Sequence, residues 1–130
     1  MIKNCRWMGL LLLVLTASAH AEWSRVGYFA NGNFYIDRAT IASVNGHREV
    51  WSMMDYGSPQ MDQNRKIYRS TRSMLQLDCP QKKARIIHMT FFSGSMLGGN
   101  EISKMGMLQD WSPVPPDTPI RGILDDVCRR

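Results

Sequence analysis

The stretch SMLQLDCPQKKARIIHMTFF, Ser73 to Phe92, decides the fold, because two apolar–polar alternations flank one cysteine and a Cys-Pro turn signal. Alternation with a period of two is typical of β-strands that bury one face. A basic cluster leads into the second alternation. The stretch therefore predicts two antiparallel strands joined by a short turn, and by itself leaves Cys79 open as half of a disulfide, a metal ligand or an activated thiolate.

The first 21 residues indicate the compartment in which Cys79 lies. MIKNCRWMGLLLLVLTASAHA combines a short positive region, an apolar run and small residues that end in an A-x-A pattern, as secretory signal peptides do. The apolar run is shorter than the roughly 20 residues of a membrane-spanning helix. We expect cleavage after Ala21, a domain over residues 22–130, and an exported protein in the periplasm or at the cell surface. Because Cys5 precedes the apolar run, no lipid anchor is expected.

Two cysteines, Cys79 and Cys128, follow the predicted signal peptide. An exported compartment is oxidising and the number is even, so we predict one structural disulfide. It would close a loop of about 50 residues and stabilise the fold by about 4 kcal/mol in the chain-entropy model. A zinc site would need two more ligands at short spacing, and a thiolate nucleophile would need an orienting histidine; neither pattern is present.

The remaining composition favours a binding protein over an enzyme. Without Lys3 and Arg6 the chain has 14 basic and 11 acidic residues, a net charge of +3, which favours anionic partners only mildly; nucleic acid is not expected. His47 and His88 are interpreted as surface or edge residues. No nucleophile–base pair, metal set or cofactor motif is recognised. The abundant methionines fit core packing or a sticky surface, with Cu(I) binding through thioethers as the alternative.

The basic residues of the two alternating stretches form the candidate partner-binding set. If the strands pair antiparallel, most of this charge gathers on one region of the sheet and suits an acidic protein patch, a sulfated glycan or lipid head groups. The alternative interpretation is edge protection and solubility. The candidate residues are Arg69, Arg72, Lys82, Lys83 and Arg85.

Turn signals at short intervals predict an α+β fold, mainly β: a sheet of about six antiparallel strands with a C-terminal helix tethered by the disulfide. Thr118 is the expected N-cap and Pro119 the first helical residue. Residues 38–44 are expected to be irregular or one helical turn, and residues 57–64 a mobile loop. The strands are expected at residues 23–30, 34–38, 48–56, 67–77, 83–93 and 101–108.

Five segments in a fixed order carry a family resemblance: NFYIDRATI, YRSTRSMLQLDC, FFSGSMLGGN, WSPVPPDT and the closing VC. Together they resemble the surface-adhesin protein E-like family of Gram-negative bacteria. The resemblance implies the same sheet and tethered helix. It also implies adhesion to extracellular-matrix and serum proteins such as vitronectin and laminin, with haem binding by a dimer. The counterpart of the adhesive segment is roughly residues 82–92.

Two functional hypotheses follow from these observations. The first is a non-enzymatic exported binding module, adhesin-like, that contacts a protein or another anionic macromolecule, with a homodimer as one assembly to consider. The second is a periplasmic inhibitor or accessory protein that acts on an envelope component. Detection of the protein on intact cells distinguishes the two.

Overall fold

The computed structural model describes residues 13–15, 21–29, 31–106 and 109–130. Most of the predicted signal peptide, residues 1–21, lies outside the described residues, as do the ends of the first and sixth predicted strands, Ala30 and residues 107–108. The strands, in chain order, are β1 (Trp23–Phe29), β2 (Gly32–Asp37), β3 (Ala42–Val44), β4 (His47–Met61), β5 (Ile67–Asp78), β6 (Lys83–Phe92), β7 (Glu101–Gly106) and β8 (Ser112–Pro113). The helix α1 is Pro119–Cys128, and two short 3-10 helices are Arg38–Thr40 and Ser95–Leu97.

The strands form one antiparallel sheet in the order β1-β2-β4-β5-β6-β7. β3 lies beside β4, and β8 lies beside β6, so both short strands extend the same end of the sheet. The six predicted strands and the mainly antiparallel fold class are confirmed. β3 and β8 were not predicted, because three and two residues carry too little alternation to be recognised.

The prediction of a mobile loop over residues 57–64 is wrong for residues 57–61, which are strand, whereas residues 62–64 lie in the turn between β4 and β5. β4 continues to Met61, and its pairing with β5 is irregular between Asp55 and Gln60. Gly57 and Pro59 lie in this irregular part of the strand. Both residue types are disfavoured in regular β-strands, so the segment has the sequence composition of a loop. The turn that follows is closed by the Asp62 carboxylate, which accepts the backbone N–H groups of Asn64 and Lys66 at 2.8 Å each.

The helix is capped as predicted and, together with Val114 before it, supplies half of the buried core cluster. The Thr118 hydroxyl accepts the N–H of Arg121 at 3.3 Å, and Pro119 occupies the first turn. Such a cap satisfies one of the N–H groups that a helix start leaves without partners. The buried core consists of sheet residues and tail residues in equal number: Ile36, Val50, Leu75 and Leu77 from the strands, and Val114, Ile123, Leu124 and Val127 from the tail.

The predicted disulfide is present and fixes the end of α1 to the sheet. Cys79, one residue after β5, is bonded to Cys128 with a Cα–Cα distance of 5.7 Å, inside the usual range of roughly 4.4–6.8 Å. An ion pair between Arg38 and Asp126, 3.1 Å from Nε to Oδ2, ties the same helix to the end of β2. The helix is therefore held to two different strands.

The register assigns the side chains to two faces of the sheet. Val50 is opposite Leu75, and both lie in the core beneath α1, on what we term the helix face. Trp51 is opposite Met74 and points to the other side, which we term the open face. Residues along a strand alternate between faces, so Arg72 and Arg85 belong to the open face as well.

Candidate functional site

A row of four side chains crosses the open face from β4 to the segment that leads into β8. Gln76 donates through Nε2 to Oε1 of Glu49 at 2.8 Å, and Arg85 donates through Nε to Oε1 of Gln76 at 2.6 Å. The guanidinium of Arg85 lies over the ring of Trp111, with 4.4 Å between its carbon and the ring centroid. The Trp111 ring also reaches His47, at 4.8 Å between centroids. The hydrogen bonds thus fix Arg85 while the indole covers it.

A second group of the same composition lies farther along β4. The guanidinium carbon of Arg72 is 4.0 Å from the centroid of the Trp51 ring. His88 packs edge-on against that ring at 6.2 Å, and its Nδ1 lies 3.2 Å from the carbonyl oxygen of Met105. The open face therefore carries two groups, each containing one tryptophan, one arginine and one histidine. We term them the inner stack (Trp51, Arg72, His88) and the outer stack (Trp111, Arg85, His47).

Arg72 and Arg85 both have guanidinium N–H groups that are not engaged by acidic side chains of the described residues. A cation over an indole ring gains about 0.5–1 kcal/mol at exposed sites, and the stack limits the rotamers of the arginine. Among the described residues neither Arg72 nor Arg85 forms an ion pair. A planar guanidinium offers its N–H groups as a fork that matches a carboxylate or sulfate. The arrangement is suited to hold anionic groups.

The other predicted basic residues lie apart from the stacks. Ser70 is opposite Phe92, whereas Asp78 is opposite Lys83, so the register places Arg69 and Lys83 near opposite ends of the paired strands. Eight residues of strand span about 26 Å at roughly 3.3 Å each. Lys82 lies in the turn with a φ of 52°. Of the five candidate residues, only Arg72 and Arg85 lie on tryptophan rings.

Arg69 has a structural contact instead. Its Nη2 donates to the carbonyl oxygen of Gly57 at 3.4 Å, across the irregular part of β4. Its Nε is buried and has no hydrogen-bond partner among the described residues. The side chain thus braces β4 against β5.

The tryptophans and histidines of the stacks were not recognised from the sequence as site residues. Both histidines are half-buried on interior strands of the sheet and lie on its open face, in contact with a tryptophan ring. Alternation in β4 assigns Trp51 and His47 to one face. The pairing of a tryptophan with a particular arginine requires the register across two strands, which a single sequence does not supply.

A separate aromatic group lies where β4, β5 and β6 meet. Tyr68 packs edge-on against Tyr56 at 5.7 Å and against Phe91 at 4.9 Å between ring centroids. Burial raises the pKa of Tyr56 above its ordinary value of 10.0, and the neighbouring Tyr68 phenol adds to the rise. Its phenol therefore stays protonated at neutral pH.

The described residues include neither a cluster of metal ligands nor a membrane-spanning helix. None of them brings three or more His, Cys, Asp or Glu side chains together in a way that would hold a metal ion. None of the helices in this part of the chain has the length and apolar character needed to cross a membrane.

The fold is similar to solved structures of protein E from Haemophilus influenzae. One of them is 16% identical and has a TM-score of 0.65, over 86% of this chain and 87% of the other. A second crystal form is 15% identical with a TM-score of 0.66, over 86% and 91%. Protein E from a non-typeable strain is 17% identical with a TM-score of 0.63, over 86% and 78%.

These likenesses concern the fold, since identities are low. No curated protein matches the chain at a significant level. The model of the family described as surface-adhesin protein E matches residues 23–129, which include every strand and the helix of the structure. The chain therefore belongs to the surface-adhesin protein E family.

Proposed function

We propose that the chain is an exported, non-enzymatic binding module that holds an acidic region of a protein partner against its open face. Membership of a surface-adhesin family supports an exported or surface location and an adhesin-like role. The observation that carries the proposal is the repetition of one arrangement: Arg72 over Trp51 and Arg85 near Trp111, on the same face of one sheet.

The stacks suit a protein partner for energetic reasons. Tryptophan and arginine are the residue types that most often dominate binding energy at protein interfaces. An arginine already held on a ring loses less side-chain freedom when a carboxylate binds. Lys82 and Lys83, at the turn end of the sheet, have the position of rim charges, which raise association rates more than affinity.

The proposal is tested with single-charge variants on and off the open face. We choose Arg72→Gln and Arg85→Gln, with Lys66→Gln as the matched control, because Lys66 is exposed in the β4–β5 turn and loses the same charge. Immobilised poly-L-glutamate and a panel of extracellular-matrix and serum proteins serve as probes, measured by interferometry at two salt concentrations.

We expect the double variant Arg72→Gln, Arg85→Gln to bind at least tenfold more weakly than the parent, with a flatter salt dependence. The double control Lys66→Gln, Arg65→Gln loses two exposed charges in the β4–β5 turn and is expected to bind as the parent does. Equal binding by the double variant and the parent contradicts the assignment of the open face.

The second hypothesis, a periplasmic inhibitor or accessory protein, uses the same face toward a different partner. Antibody labelling of intact cells supports adhesion. Protein that is released only with the periplasmic fraction supports the accessory role instead.

A further inference from the structure

Beyond the reach of α1, the helix face of the sheet carries two adjacent cavities. The first, of about 420 Å³, lies between the β4–β5 turn and strands β6 and β7. The second, of about 210 Å³, lies over the middle of the sheet and is bordered by Ile120 in the first turn of α1. Met89 on β6 lines both cavities. We term the two together the helix-face groove.

The groove is elongated along the strands. Its β5 lining begins at Tyr68 in the first cavity and ends at Leu75 in the second. Seven residues of strand span about 23 Å at roughly 3.3 Å each. Tyr56 of the second cavity packs edge-on against Tyr68 of the first, at 5.7 Å between ring centroids, so the walls of the two cavities are in contact.

The second cavity exists because small side chains lie among large ones. Ser52 on β4 is opposite Ser73 on β5, and Thr71 lies two residues farther along the same face. All three are buried, and the Ser52 hydroxyl donates to the carbonyl oxygen of Ser73 at 3.2 Å. The larger side chains that border them are Phe34, Met54, Tyr56, Ile86 and Met89.

The groove favours a hydrocarbon chain over a peptide. β4, β5 and β6 are interior strands, so most of their backbone N–H and C=O groups are paired within the sheet. A peptide laid over them would give up hydrogen bonds to water without replacing them, which is costly, whereas a hydrocarbon chain has none to lose. Met61, 62% exposed, and Met105, 38% exposed, would both be covered by such a chain.

The first cavity has a cationic border. Lys104 lines it, and its ion pair with Glu101, at 3.3 Å, is exposed and therefore weak. Arg65 and Lys66 are exposed in the adjoining β4–β5 turn. The one carboxylate of the lining, on Asp62, already accepts two backbone N–H groups at 2.8 Å each. This charge balance favours an anionic group at this end of the groove.

We propose that the helix-face groove binds one long-chain fatty acid, with its carboxylate beside Lys104 and its hydrocarbon chain directed along β5 toward Ile120. The elongated shape, the apolar border and the cation at one end together match a single-chain anionic amphiphile. No residue of the inner or outer stack lines the groove, so this site is independent of the proposed protein-binding face.

Dodecanoate is the probe, titrated by calorimetry below its micelle-forming concentration into the protein with its disulfide formed. Octanoate tests the effect of chain length, and dodecyltrimethylammonium tests the charge of the head group.

Two variants test the two ends of the interaction. Ser103→Trp fills the first cavity with an aromatic side chain, a residue type that strands accept, and Ser43→Trp is its control at an exposed position of β3 that lines neither cavity. Lys104→Gln removes the cation, and Lys82→Gln, in the exposed β5–β6 turn, is its matched control. Circular dichroism checks that each variant keeps the fold; if Ser103→Trp does not, the exposed variant Lys104→Gln decides.

We expect one dodecanoate per chain, bound at least tenfold more tightly than octanoate because each buried methylene adds to the affinity. The cationic amphiphile should bind at least tenfold more weakly than dodecanoate. Ser103→Trp should weaken dodecanoate binding at least tenfold and Lys104→Gln at least threefold, while both controls bind as the parent does.

Absence of dodecanoate binding overturns the proposal, and so does the binding of many molecules per chain. Binding that Ser103→Trp or Lys104→Gln leaves unchanged, or equal binding of the two head-group charges, overturns it as well.

Discussion

The guanidinium of Arg72 lies over the indole of Trp51 although the two residues are not directly paired. Trp51 is opposite Met74, and Arg72 is opposite Met53, so the arginine and the tryptophan are diagonal neighbours on the open face. Diagonal neighbours are within reach of long and aromatic side chains. The 4.0 Å separation shows that the arginine crosses the sheet toward the ring and is held there.

Replacement of Arg72 by alanine tests the energy of the inner stack. We expect the free energy of unfolding to fall by about 0.5–1 kcal/mol, the usual gain of an exposed cation over an indole. Urea unfolding followed by circular dichroism measures the loss, and tryptophan emission reports the uncovered ring. Lys104→Ala is the control, because Lys104 is 62% exposed and forms only an i,i+3 pair with Glu101. Equal losses in both variants contradict the stack.

Asp126 joins α1 to the sheet, so we expect it to contribute more to the free energy of unfolding than its neighbour Asp125. Asp126 is 16% exposed and pairs with Arg38 at 3.1 Å, whereas Asp125 is 57% exposed and pairs with Arg121 at 3.6 Å. Hydrogen bonds to charged groups contribute roughly 1.5–3 kcal/mol when partly buried, and exposed pairs about 0–1 kcal/mol. We expect Asp126→Asn to destabilise the protein by about 1–2 kcal/mol in urea unfolding.

Asp125→Asn serves as the comparison and should cost less than about 0.5 kcal/mol. A larger loss in Asp125→Asn than in Asp126→Asn would show that the tie to Arg38 is not the important contact of this helix.

Removal of the disulfide should lower stability without changing the sheet order. The bond spans 49 residues, for which the chain-entropy model gives about 4 kcal/mol. The double variant Cys79→Ser, Cys128→Ser avoids a free thiol, and its urea midpoint is compared with that of the parent. Thiol labelling of the unfolded parent should detect Cys79 and Cys128 only after reduction. Labelling of either one without a reductant would contradict the bond.

Because the pKa of Tyr56 is raised, we expect the protein to lose stability at high pH. Its pKa in the folded protein is raised above 10.0, so the folded state keeps a proton that the unfolded state gives up. The contribution is fully present below pH 10 and disappears as the pH rises through the folded pKa. Tyr56→Phe removes this group, so the difference in unfolding free energy between parent and variant should shrink from pH 9 to pH 11. A constant difference over that range argues against a raised pKa.

The strands of this fold were largely predictable because they alternate. The second half of Ile67–Asp78 alternates in burial from Arg72 on, Lys83–Ile86 alternates in sequence, and a proline follows Cys79 where β5 has ended. The helix was predictable from Thr118 and Pro119, whose chemistry marks a helix start. Both signals are local, and the disulfide needed only the count of cysteines and the expected compartment.

The features that escaped prediction are those that depend on register. β8 contains a proline and pairs only through Ser112 and Pro113 at the edge of β6, as an edge position permits. The irregularity after Asp55 made a strand resemble a loop. The candidate site was predicted as a run of positive charge. In the structure, two of these basic residues, Arg72 and Arg85, differ from the others because each packs on a tryptophan ring. Each of these contacts joins residues of different segments, so it depends on how the strands are paired.

The position of the disulfide also orders the assembly of the domain. A chain that is exported N-terminus first delivers Cys79 while Cys128 is still 49 residues behind. Strands β1 to β5 all precede Cys79, so they are able to pair while its thiol waits unoxidised. The bond then encloses β6, β7, β8 and the helix in a covalent ring. The bond forms only after Cys128 itself has been exported, and until then the thiol of Cys79 is open to exchange with other disulfides.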